Sequence, residues 1–181
     1  MGAHQRRSES LGRIGLALVL AACCVSVTIS SKPDLPTGRF PSGFKVGTTI
    51  DTPVQVSIEA KKANTVKACI NVDPDIHFAY SWTGMPDSAA GMVAQSMIAQ
   101  EEETSDIAGI KTEPIGKEGL KYGTLIFKKT TTPQIGLNCP PWITYAGTWA
   151  APVSGGVLII SVSNVAGSKD AIKGWIEGLI P

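Results

Sequence analysis

Asp73, Asp75 and His77 are the residues whose types and spacing come closest to a chemical site. They fall in the run Asp-Pro-Asp-Ile-His, and in an extended chain all three point to one face. Two carboxylates and an imidazole so placed can ligate a metal or work as acid and base. Asp73-Pro74-Asp75 is equally a turn signature, which makes His77 a polar strand-face residue beside a turn. No serine sits in a Gly-x-Ser-x-Gly elbow, and no glycine run matches a phosphate loop. The residues therefore assign no catalytic group, no metal and no cofactor. An exported hydrolase using His77 with an unidentified serine is the runner-up reading.

A second group is aromatic. Cys139-Pro140-Pro141-Trp142 is followed by Tyr145 and Trp149, and Ile143, Tyr145, Gly147 and Trp149 share one strand face. Trp142, Tyr145 and Trp149, with His77, form a candidate ligand or partner face, because Trp and Tyr are frequent binding anchors. The alternative is ordinary core beneath a terminal helix that carries Trp175.

Cys69 and Cys139 are the cysteines beyond the N-terminal segment. An even pair in an exported domain is most simply a disulfide. On the chain-entropy view a loop of this length contributes about 4 kcal/mol. Two separate buried thiols are the alternative. Neither Cys has a second Cys or His at metal-ligand spacing.

The elements that must position these groups begin with a leader or membrane anchor over residues 1–30. Residues 1–13 are polar and basic, with Arg6, Arg7 and Arg13, and 14–29 is a mostly apolar run. This is the layout of an export signal. Leu20-Ala21-Ala22-Cys23 resembles the bacterial lipobox, in which the Cys thiol is lipidated and becomes the new N-terminus. Val25, Val27 and Ile29 keep the chain apolar beyond it, so an uncleaved anchor and a cleaved signal stay open beside lipidation of Cys23. Each option places the domain outside the cytoplasm, attached to a membrane through the N-terminal segment or secreted. Beyond the leader the charge is close to neutral, and no basic stripe is left to neutralise phosphates, so nucleic acid is not an expected partner.

Residues 31–53 are rich in Pro, Gly, Ser and Thr and read as a linker. A domain over 54–181 follows. Val54, Val56 and Ile58 alternate with polar residues, as do Val66, Ala68, Ile70 and Val72, which predicts a hairpin turning at 61–65. Ile76, Phe78, Tyr80 and Trp82 mark a third strand. Pro86 and Asp87 start a helix that carries Ala90, Val93 and Met97 and ends near Thr104, where Glu101 to Glu103 read as a solvated end. Strand signals return at 110–114, 122–129, 142–149 and 157–165, with Gly155-Gly156 turning the last two. Ser168 caps a final helix with Ile172, Trp175, Ile176 and Leu179 on one stripe. This order predicts an α+β domain, an antiparallel β-sheet with two helices packed on it.

The order of elements resembles the PsbP-like fold, and especially the LpqN-type lipoproteins of actinobacterial envelopes. The resemblance is carried by 110–127, with Gly116, Gly119 and Gly123 around a turn, and by 156–180, an apolar strand feeding a short terminal helix. It implies an α/β/α arrangement and a non-catalytic, membrane-attached envelope protein that binds a protein partner or an apolar small ligand. Cys69, Trp82 and Cys139 also lie at spacings an immunoglobulin-like β-sandwich would use. Against that alternative, Leu137 stands where a Tyr is expected, and a helical pattern interrupts the strands.

Overall fold

A computed structural model describes residues 32–64, 75–134, 139–167 and 169–181. The alternating stretches form the strands β1 (Lys45–Asp51), β2 (Gln55–Lys62), β3 (Ile76–Gly84), β4 (Ser105–Ile107), β5 (Ile110–Leu120), β6 (Gly123–Thr132), β7 (Trp142–Pro152) and β8 (Gly156–Val165). They join in one open antiparallel sheet of order β1-β2-β3-β8-β7-β6-β5-β4. The helices are α1 (Asp87–Glu101) and α2 (Lys169–Glu177). The domain is therefore α+β, as expected. A single sheet flanked by helices excludes the immunoglobulin-like sandwich, which needs two packed sheets.

Side-chain alternation decides which helix covers which face. Ala90, Ala94 and Ile98 of α1 pack with Ile126, Ala150 and Val157. Ile172 and Ile176 of α2 pack with Leu125, Phe127, Trp149, Leu158 and Ile160. Neighbours along a strand point to opposite faces, so the two helices lie on opposite sides of the sheet. The α2 side holds the larger core, in which Val56, Ile58, Phe78, Tyr80, Trp82 and Trp149 are fully buried. Close packing there requires glycine at one crossing: a Cβ on Gly156 would stand 2.6 Å from the Trp82 indole nitrogen and 2.4 Å from the Thr83 carbonyl oxygen.

Two expectations need correction. The segment read as a linker is part of the fold. Leu35, Phe40 and Phe44 pack on the α2-side core, and the rings of Phe40 and Phe44 meet Phe78 edge-on at 5.3 and 5.5 Å. Beyond them β1 pairs with β2. Its exposure on both faces removes the period-2 apolar pattern that would have revealed it. The hairpin of 54–59 with 66–72 is also overturned, because β2 has β1 on one side and β3 on the other. Residues 65–74, including Cys69 and Asp73, and the expected cap Ser168 lie outside the described residues.

Candidate functional site

The aromatic face resolves residue by residue. In the register of β6 with β7, Tyr145, Gly147 and Trp149 stand opposite Lys129, Phe127 and Leu125, on the α2 side. Trp149 is fully buried there, and its indole N–H donates to the Leu120 carbonyl oxygen at 2.7 Å. Tyr145 is half-buried against the same core. Trp142 pairs with Thr132 and falls on the other face, half-buried. The structure therefore splits Trp142 from Tyr145 and Trp149, and Trp149 is core.

His77 lies on β3 between Lys61 of β2 and Ser163 of β8. Ile76 and Phe78 are buried on the α2 side, so His77 faces the opposite way. It lines a shallow hollow of about 210 Å³ with Glu59, Lys61 and Ala79. The register brings His77 beside a serine that sequence alone could not identify. No group of three or more His, Cys, Asp or Glu suited to a metal occurs among the described residues. Cys139 is buried and disulfide-bonded. The other cysteines lie outside the described residues, as does the leader with Cys23.

A larger feature, with no earlier signal, is a groove of about 450 Å³ between α1 and the β5–β6–β7 side of the sheet. That volume lies within the range of small-molecule sites. Gly91, Ala94 and Ile98 form its helix wall, and Thr124, Ala150 and Pro152 line the sheet side. Across one end, Lys117 and Glu102 form an ion pair at 2.5 Å. Lys128 likewise meets Glu101 at 3.1 Å, so this acidic helix end is held by lysines of the sheet. Such pairs offset the unfavourable carboxylates at the helix C-terminus.

Three residues around the groove carry costs that the fold itself does not require. A glycine inside a helix costs about 1 kcal/mol against alanine. Yet a Cβ added at Gly91 meets nothing within 4 Å beyond its own stretch of helix. Across the groove, Lys121 and Tyr122 form the β5–β6 turn with φ of 31° and 42°. A two-residue turn of this hand normally carries Asn-Gly, since left-handed backbone costs other residues about 1–2 kcal/mol each. Tyr122 is 84% exposed, the most exposed of the large apolar side chains described. Gly123 beside it is sterically fixed, because a Cβ there would stand 2.6 Å from the Ala150 carbonyl oxygen.

The strongest titration effect is structural. Burial pushes the Tyr80 hydroxyl up to about 12, partly countered by the nearby Arg39 charge. On β5, the hydrogen bond from Lys111 holds Glu113 below the ordinary carboxylate range.

No protein-family model, curated protein or solved structure matches the chain.

Proposed function

We propose that the protein is a non-enzymatic, membrane-attached protein of the cell envelope whose extracytoplasmic domain binds an apolar or amphipathic small ligand in the α1 groove. Membrane attachment rests on the basic and apolar leader, with Cys23 as the candidate lipidation site. The observation that carries the binding assignment is Gly91, which keeps room open in the groove although no packing contact of its own needs it. Small apolar walls suit a hydrocarbon portion, and Gln95 with the Glu102–Lys117 pair suits a polar end.

The test is Gly91→Leu. Leucine raises helix propensity and enters open space, so the variant is expected to be at least as stable as wild type. It is expected to lose binding of a fluorescent fatty acid, read by titration. Unchanged affinity in a folded Gly91→Leu protein would remove the groove from the reading.

A second reading is favoured by one observation, the register that sets Ser163 beside His77. An exported hydrolase using this pair should label at Ser163 with a fluorophosphonate probe and lose labelling in His77→Ala. Absence of labelling in wild type disposes of it.

A further inference from the structure

We infer that the end of the sheet bearing the turns 52–54, 84–86, 121–122 and 153–155 is a lipid-facing rim that rests on the surface of the bilayer. The inference builds on the proposed membrane attachment and adds an orientation to it.

Three of these turns form one continuous edge. The Gly84 N–H donates to the Val54 carbonyl oxygen at 2.8 Å, and the Met85 N–H to the Gly155 carbonyl oxygen at 2.9 Å. The Tyr122 turn closes the β5–β6 hairpin at the same end, since Thr124 pairs with Ala150 near the close of β7. Turns usually carry Asn, Asp, Ser and Gly. Here the exposed apolar positions are Val54 and Tyr122. Met85 and Val153 lie half-buried against the core at the same edge, beside the ordinary turn residues Gly84, Ser154 and Gly155 and with Pro53, Pro86 and Pro152 among them. Val54 is 53% exposed and Tyr122 84% exposed. Tyrosine is enriched where one end of the ring can sit in lipid and the hydroxyl in water.

The position of the leader selects the occupant. Lys32 forms an ion pair with Asp51, the last residue of β1, so the chain enters the domain at this end. Ser30 and Ser31 alone separate Ile29, the end of the apolar run, from Lys32. An extended chain covers that step in about 10 Å. The far end of β1, at Lys45, is about 20 Å further away. A bilayer that also holds Val25, Val27 and Ile29, the apolar residues beyond Cys23, therefore lies against the rim. Lys32, Lys121, Asp51 and Asp87 mix both signs at this end, so the contact is with the lipid interface and does not depend on anionic headgroups. Tyr122, Gly123 and Pro152 belong to both rim and groove, so the groove opens at the lipid boundary.

The experiment uses the full chain in phosphatidylcholine vesicles, with p-benzoylphenylalanine replacing Val54, Tyr122 or Ile107 in turn. Ile107 is 73% exposed in the β4–β5 hairpin at the opposite end and serves as the comparison. Irradiation should give lipid adducts at positions 54 and 122 several-fold above position 107. Equal yields, a higher yield at 107, or adducts to other copies of the chain would overturn the rim. Flotation separates the two levels: a chain that fails to float with the vesicles refutes attachment itself, whereas a floating chain without rim adducts refutes only the orientation.

Discussion

The guanidinium of Arg39 donates to the carbonyl oxygen of Gly178 at 2.8 Å, across 139 residues of sequence. A second bond reaches the Ile180 carbonyl oxygen at 3.0 Å. The last carbonyls of a helix lack partners within it and carry partial negative charge. Arg39 binds two carbonyls of the turn just beyond α2, at the negative end of the helix, and fastens the N-terminal segment over the core. Arg39→Ala should therefore cost about 1.5–3 kcal/mol, the range for hydrogen bonds to a charged group. Arg39→Lys should recover part of it, because one ammonium cannot reproduce the planar fork. The urea midpoint measures both, and amide exchange should rise at Leu179 and Ile180. An unchanged midpoint in Arg39→Ala would show that the strap is held by Phe40 and Phe44 alone.

The α2 face depends on glycine at a second crossing. A Cβ on Gly147 would lie 2.5 Å from the Ile172 methyl carbon, closer than packed carbons approach. Gly147→Ala should destabilise by about 1–3 kcal/mol through overpacking. Ile172→Ala alone costs about 2–5 kcal/mol by leaving a cavity. Combined, the two should cost less than their sum, because the residues touch and alanine lacks the Cγ2 methyl that the new Cβ meets. Strict additivity in urea denaturation would contradict this contact.

These dependencies explain which parts of the fold were legible in the sequence. In β2 and β3, Val56, Ile58, Phe78 and Tyr80 are buried on one side only, so their alternation survives in the sequence. The same holds for Ile172 and Ile176 of α2 at helical spacing. β1 and β4 are exposed edge strands, and no one-sided burial marks them. In α1 the buried residues are Ala90, Ala94 and Ile98, whereas the expected Val93 and Met97 are only partly covered. The face shared by Tyr145, Gly147 and Trp149 was readable, but its burial beneath α2 required the tertiary fold. Gly91 and Tyr122 acquire meaning only from each other across the groove, a relationship that local pattern does not contain.

Tyr80 sets an alkaline limit. Burial raises its hydroxyl from 10.0 to about 12, so the folded state favours the neutral ring. An elevated native value means that the contribution is complete below the unfolded value and is lost as pH rises through the native one. Stability should thus be steady up to about pH 10 and decline towards pH 12. Tyr80→Phe removes the ionisable group. Its denaturation midpoint should fall less than that of wild type across this window. Parallel curves would show that Tyr80 does not govern the alkaline transition.

The Lys121–Tyr122 turn sets stability against function. Both residues occupy left-handed backbone, with φ of 31° and 42°, where Asn and Gly are at ease. Replacing the pair by Lys121→Asn and Tyr122→Gly should stabilise the fold by about 1 kcal/mol, since relief of strain exceeds the added chain entropy of glycine. The same change removes the ring that stands at both the groove mouth and the rim, so fatty-acid binding should weaken although the protein is more stable. Tyr122→Asn alone keeps a residue tolerant of this backbone and should lose binding with a smaller stability gain. Thermal denaturation and ligand titration on the same samples read the two effects separately. A stabilised double variant that binds as well as wild type would show that Tyr122 is not held in its costly conformation for ligand binding.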